Sequence, residues 1–424
     1  MGGADFPSSP RYMVLNVAFV CLQLFSRRSK LRVHQKGRSV FVSRIIIQNW
    51  RNFRDVNVPL RERQFIVGPN AAGKSNFLDV FRFLRDIAKP EGGGIQKAVK
   101  DRGGVSKLRS LAARRDPEIT IEVHLSEGED ERSPSWRYRL EIRQESRGYR
   151  QPFISSEKVW QKSNLVLERP KAEDRADPVR LTQTYLEQVN ENASFREIVK
   201  FFESATYLHL VPQLLRYSDV IQGRIVESDP FGQGLLERVA KTTPRIQKAR
   251  LLRIEAALKV AVPQLQQLRF ERDSETGRPH LGAMYSHWRP KAGWQREDQF
   301  SDGTLRLIGL LWSLLEGESL LLLEEPELSL NAAIVAHLAP LIYRMQRQRR
   351  RQVIVSTHSM DLLSDPGIDG REVLLLEPSS EGTSVTPVSE LADLSRLMKA
   401  GLSAGEVVLP RTQPQQLDLL SSID

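Results

Sequence analysis

The segment that most restricts how this chain can fold is GPNAAGKS, residues 68–75. It satisfies the phosphate-loop pattern Gly-x-x-x-x-Gly-Lys-Ser/Thr in full, and its flanks suit it. RQFIVG (63–68) is a short apolar strand running into a turn. After the loop, Phe77, Phe81, Leu84 and Ile87 recur at spacings of three and four, which predicts a helix over 76–88. Gly68 and Gly73 permit backbone angles that turn successive N–H groups inward toward an anion. The helix start at Lys74-Ser75 adds unpaired N–H groups and the positive end of the helix dipole. Lys74 is placed to reach the β- and γ-phosphates of ATP or GTP, and Ser75 Oγ to coordinate Mg²⁺. The expected nucleotide-binding set is Gly68, Pro69, Asn70, Ala71, Ala72, Gly73, Lys74, Ser75 and Asn76.

A second stretch, SLLLLEEPE (319–327), sets two carboxylates at the tip of an apolar strand. Burying such charges costs several kcal/mol unless something neutralises them. A triphosphate with its metal ion supplies that environment. Glu324 is then the Mg²⁺-side acid, and Glu325 the general base that polarises the attacking water. Taken alone, EEPE also suits a helix start with Pro326 in its first position and Glu327 in its first turn. QVIVSTHS (352–359) ends another buried strand at His358, which can donate a hydrogen bond to a γ-phosphate. In FSDGT (300–304), Ser301, Asp302 and Gly303 form a small turn opening a helix, able to offer a hydroxyl and N–H groups to an anion or simply to cap the helix.

The 424 residues are 40% hydrophobic and 27% charged, a globular composition with room for two or three domains. The lone cysteine, Cys21, excludes a disulfide framework and fits a reducing, cytoplasmic setting. The net charge of +10 invites a nucleic-acid reading, but residues 1–54 hold ten Lys/Arg against one acid and so account for +9 of it. Any DNA contact by the body needs a local patch, such as YRMQRQRRR (343–351), whose cations equally suit a helix C-terminus. The apolar run 12–25 is shorter than the roughly 20 residues a membrane span requires, and its charge follows rather than precedes it, unlike a signal peptide. No stable membrane association is expected. Residues 1–39 are expected to be an extension, poorly ordered or read from too early a start.

Along the chain, 41–50 and 53–60 pattern as strands, as do segments from 117 to 168 with period two. Segments 179–203, 233–262, 304–316 and 329–346 pattern as helices; 265–272, 280–287, 352–357 and 373–377 as strands. The expected division is an N-terminal lobe with the phosphate loop and an antiparallel β subdomain (40–175), a helical insertion (176–264), a C-terminal lobe (265–395) and a tail (396–424).

Taken in order, RIIIQNWRNFRDVNVPL, FIVGPNAAGKSNFLDVFRFLRD, FSDGTLRLIGLLWSLL, LLLLEEPELSL and VIVSTHSMDLL resemble the ABC-type ATPase heads of the RecF and SMC group. They are most similar to stand-alone bacterial AAA-family ATPases of RecF/SMC type, some of which serve in phage defence. The resemblance spans roughly 41–395. It implies an α/β P-loop NTPase fold of ABC-ATPase type: a mixed central sheet, an antiparallel β subdomain, and a helical lobe inserted between the phosphate loop (Walker A) and the acid strand (Walker B). It also implies a homodimer that sandwiches ATP and Mg²⁺, hydrolysis with Lys74, Glu325 and His358 as catalytic groups, and Ser301, Asp302 and Gly303 acting in trans on the partner's γ-phosphate. The family's usual Mg²⁺ acid is Asp where this chain has Glu324. SDG replaces the transporter-type SGG, and Asn331-Ala332 stands where relatives often carry His-Pro. Gln213 is the candidate for the glutamine that links Mg²⁺ to the helical lobe.

The implied activity is an ATP-driven dimeric switch in DNA repair, chromosome maintenance or phage defence. The alternative is an ATP-controlled scaffold that assembles a separate effector, such as a nuclease, without needing hydrolysis. The 66 residues after His358 hold no Asp-x-Asp pair and are too few for the usual metal-nuclease domain.

Overall fold

The computed structural model describes residues 40–114, 116, 118–128, 133–145, 150–217, 231–288 and 293–413. The expected extension 1–39 and the end of the expected tail lie outside them. Two compact units are present, one of residues 40–209 and 316–413, the other of 210–217 and 231–315.

The first unit opens with β1 (Phe41–Trp50), β2 (Phe53–Pro59) and β3 (Arg63–Val67), then α1 (Lys74–Ala88). It continues through β4 (Ile119–Ser126), β5 (Trp136–Gln144), β6 (Pro152–Gln161), β7 (Asn164–Arg169), α2 (Arg196–Glu203) and β8 (Thr206–Leu208). The second unit carries α3 (Pro212–Arg216), α4 (Leu235–Lys241), α5 (Pro244–Ala261), β9 (Leu265–Arg272), β10 (Pro279–Tyr285), β11 (Trp294–Arg296) and α6 (Asp302–Leu315). The chain then returns to the first unit as β12 (Leu321–Glu324), α7 (Leu338–Arg349), β13 (Val353–Thr357), β14 (Val373–Ser379) and β15 (Gly382–Pro387).

The central sheet has the order β15-β14-β3-β13-β12-β8. All its pairings are parallel except β14 with β15, so the sheet is mixed. A parallel strand covered on both faces needs a continuous apolar run. This accounts for the leucines of β12, which are fully buried between β13 and β8. The antiparallel sheet, β2-β1-β4-β5-β6-β7, shares one core with α1 and the central sheet. Trp50 meets Phe83 at a tilt with 5.1 Å between ring centres, and Phe53 meets Phe77 edge-on. Phe77 and Phe81 of α1 belong to the same cluster as Ile66, Leu322 and Ile354 of the central sheet. The second unit has its own three-stranded sheet, β11-β10-β9. No helix of the described residues is long and apolar enough to cross a membrane.

Three helical expectations are corrected. In 179–203 only α2 is an α-helix; Pro178–Thr182 and Ala193–Phe195 are 3₁₀ turns. The cause is the fully buried Glu157, whose carboxylate accepts the N–H groups of Tyr185 and Leu186 that a helix would have used. The 233–262 segment breaks at Pro244, which lacks the N–H a continuing helix needs. No helix starts at Pro326: residues 326–329 form turns, and helix resumes only at Ala332, capped by Asn331.

Candidate functional site

The parallel register brings the C-terminal ends of three neighbouring strands level. Leu323 pairs with Val355 and Glu324 with Ser356; Ser356 pairs in turn with Ile66 and Thr357 with Val67. The phosphate loop, Glu324-Glu325 and His358 therefore leave the sheet at one edge, where open parallel sheets bind ligands.

The loop is shaped by close approach. Gly73 has φ of +97°, and a Cβ there would lie 2.1 Å from the Asn52 amide nitrogen. At Gly68 a Cβ would meet the Leu376 carbonyl oxygen at 2.8 Å. Gly73 precedes α1 with no side-chain cap, so the first N–H groups of a 15-residue helix are left for a ligand. Asn52 braces the loop from β2's entry. Its amide donates to the Ala72 carbonyl (2.7 Å) and to Thr383 Oγ1 (2.8 Å), and its oxygen accepts from Asn76 (2.7 Å).

Lys74 is buried and donates to the carbonyls of Gly68 (2.9 Å) and Pro69 (3.1 Å). Burial lowers its pKa, against the opposing pull of Glu325, Glu324 and Glu327. Ser75 Oγ donates to Glu324 Oε1, and the Tyr207 hydroxyl of β8 donates to Glu324 Oε2. Burial and the neighbouring Glu324 raise the Tyr207 phenol far above its usual range, so it remains a donor. Glu325 sits at φ of +45°, an uncommon conformation for a non-glycine residue, and its carboxylate meets His358 Nδ1 at 3.2 Å. Glu327 is almost wholly buried and accepts from Thr357 Oγ1 at 2.6 Å. Burial raises its pKa, while Thr357 and the His358 N–H oppose the shift.

Thus Lys74, Ser75, Glu324, Glu325 and His358 gather at one edge. Tyr207 and Asn52 join them without a sequence expectation of their own, and Glu327, expected only in the first turn of a helix, joins them as well. The TYL strand is only three residues long, too short for a period-two signal.

In the second unit, Ser301 caps α6: its hydroxyl accepts the Thr304 N–H (3.2 Å) and lies 2.9 Å from Thr304 Oγ1. Asp302 is held by Arg216 (2.7 Å) and by Gln213 (2.9 Å), so the Gln213 amide is engaged with the turn that contains Gly303. In the basic segment 343–351, Arg351 is buried, donating to the Ser319 carbonyl (2.9 Å) and that of Glu316, and burial lowers its pKa to about 10. Arg347 and Arg350 are exposed.

The family described as "AAA domain, putative AbiEii toxin, Type IV TA system" matches residues 65–365, about seven-tenths of the chain. The chain belongs to this family. The phosphate loop follows β3 at the start of that AAA-family span, and Glu324-Glu325 and His358 fall within it. The fold is the expected α/β P-loop NTPase fold built on a mixed central sheet. Among solved structures, the chain is similar to an Smc head bound to the C-winged helix domain of ScpA (TM-score 0.49, 12% identity, 82% of this chain and 97% of that one). It is also similar to a Pyrococcus furiosus Smc head with an extended coiled coil bound to the C-terminal domain of ScpA (TM-score 0.46, 12% identity, 85% and 100% covered). A third is the SMC head domain from Thermotoga maritima (TM-score 0.42, 14% identity, 82% and 98% covered). No curated protein matches the chain.

Proposed function

We propose that this AAA-family protein binds ATP with Mg²⁺ at the 68–75 loop and hydrolyses it. The observation that carries the reading is the contact of Ser75 Oγ with Glu324, beside a buried Lys74 whose charge is opposed by three glutamates. A hydroxyl and a carboxylate are hard oxygen donors. Among the described residues no three His, Cys, Asp or Glu side chains form a metal set. Two protein oxygens suit Mg²⁺, which takes its remaining ligands from water and phosphate. Ser75 and Glu324 would hold the ion, which when bound neutralises charge on the β- and γ-phosphates. Lys74, released from the Gly68 and Pro69 carbonyls, would bind the same phosphates. Glu325 would take the proton of the attacking water, and His358, already at its carboxylate, would orient it and donate toward the γ-phosphate.

In the wider reading, a second copy supplies Ser301, Asp302 and Gly303 to the γ-phosphate, so that ATP closes a homodimer and hydrolysis opens it. The settings proposed are DNA repair, chromosome maintenance or defence against phage, in the cytoplasm, acting on DNA or an effector protein. The test is Glu325→Gln. ATP turnover is expected to fall about 10²- to 10⁴-fold with ATP affinity by calorimetry retained, and sedimentation is expected to show an ATP-stabilised dimer. Wild-type protein that ignores ATP in the calorimeter would end the reading. A variant that stays dimeric and fully functional would favour the scaffold alternative.

A further inference from the structure

Glu324 presents two carboxylate oxygens, and hydroxyl groups from two different elements engage both: Ser75 on Oε1, Tyr207 on Oε2. We propose that Tyr207 is the positioning residue for the metal-side acid, fixing the Glu324 carboxylate so that its free edge faces Ser75 and thereby setting how tightly the site takes a divalent cation. The inference rests on the nucleotide-site reading above.

The strand register makes the contact possible. β8 runs parallel to β12 with Tyr207 opposite Leu322. Residues two apart on a strand share a face, so Glu324 lies one step further along the same face. A phenol is long enough to span that step and end on the carboxylate. The ring itself is clamped: Tyr207 is 6% exposed, and the Arg82 guanidinium of α1 lies 4.2 Å from its centroid. Arg82 is in turn 3.8 Å from Asp79, one turn earlier on α1. The helix that follows the phosphate loop therefore also holds the tyrosine that holds the acid.

The acid is a glutamate, with one more rotatable bond than an aspartate. A flexible acid at the strand tip would sample several orientations, most of them turned from Ser75. A second donor removes that freedom. Outer-layer partners of this kind typically change metal affinity or activity by about 10- to 100-fold when removed.

The test uses Tyr207→Phe, which keeps the ring and its Arg82 contact and removes only the donor. Mn²⁺ replaces Mg²⁺ so that electron paramagnetic resonance can count bound ions, with a non-hydrolysable ATP analogue present. The variant is expected to bind Mn²⁺ about 10- to 100-fold more weakly, while binding the analogue in EDTA as the wild type does. Equal Mn²⁺ affinity in wild type and variant would overturn the assignment and leave the ATP-site reading intact. A wild type that binds neither analogue nor Mn²⁺ would overturn both. Glu324→Asp supplies a second arm. The shorter acid falls out of the phenol's reach, so adding Tyr207→Phe to it is expected to weaken Mn²⁺ no further. A full, additive weakening in the double variant would also sink the proposal.

Discussion

At the residue scale, the loop's shape depends on one contact more than on its own sequence. Gly73 faces the Asn52 side chain so closely that no Cβ fits. Asn52 in turn ties Ala72, Asn76 and Thr383 together, which joins the loop, α1 and β15. Removing the amide leaves part-buried groups without partners, at about 1–3 kcal/mol. Asn52→Ala is therefore expected to lower stability by that amount in thermal unfolding and to weaken ATP binding in calorimetry. An unchanged melting point and affinity would show that the loop holds its form unaided. The residues proposed to carry the chemistry were legible because each sits in a local pattern: Lys74 and Ser75 in the loop, Glu324 and Glu325 at a Leu run, His358 after β13. Asn52, Tyr207 and Glu327 were not legible as site residues. Their roles arise from hydrogen bonds across 20 to 331 positions or from burial, and no local spacing encodes either.

At the scale of elements, strands and the loop helix were read well because their apolar periods reflect burial on a definite face. One failure came where a polar group overrode the pattern. Residues 179–195 carry helical spacing, yet Glu157 takes the backbone donors of Tyr185 and Leu186 and holds the segment in turns. On α1 the comparable buried acid is Asp79, which accepts from Arg51 (2.8 Å) and from both Nε and Nη2 of Arg102 (3.0 and 2.9 Å). Burial alone would raise its pKa, but Arg102, Arg82 and Arg51 bring it below the usual value. A depressed carboxylate contributes stability that is present above its unfolded pKa of about 3.9 and is lost as pH falls through the folded value. Asp79→Asn takes one of two carboxylates from the nearly buried Arg102, which keeps Asp86 at 2.9 Å, so the cost falls below the about 3–5 kcal/mol of breaking a buried pair outright. The variant is thus expected to melt well below wild type at pH 7. The gap should narrow as pH drops below about 4. A gap independent of pH, measured by thermal unfolding from about pH 3 to 7, would show that packing and not charge is responsible.

For the whole molecule, charge and fold are distributed differently. The described body contains the core, both units and the candidate nucleotide site. Most of the +10 lies outside it: residues 1–39 contain seven Lys/Arg and the single acid Asp5, so a chain starting at 40 carries +4. Net positive charge governs non-specific attraction to nucleic acid and says nothing of the fold. The body's own basic segment is weaker than its sequence suggests, because Arg351 is buried against the 316–319 turn and Arg347 donates to the Tyr343 hydroxyl. Removing residues 1–39 leaves β1, which begins at Phe41, intact. ATP affinity is then expected to persist. Binding to duplex DNA should weaken, and the slope of log affinity against log salt should shrink by up to about 0.9 for each phosphate no longer neutralised. Fluorescence anisotropy of a labelled duplex from about 50 to 300 mM salt, the range over which phosphate pairing weakens steeply, measures that slope. An unchanged slope would move the DNA contact into the body, where Arg347 and Arg350 of α7 and its C-terminus are the exposed cations to substitute next.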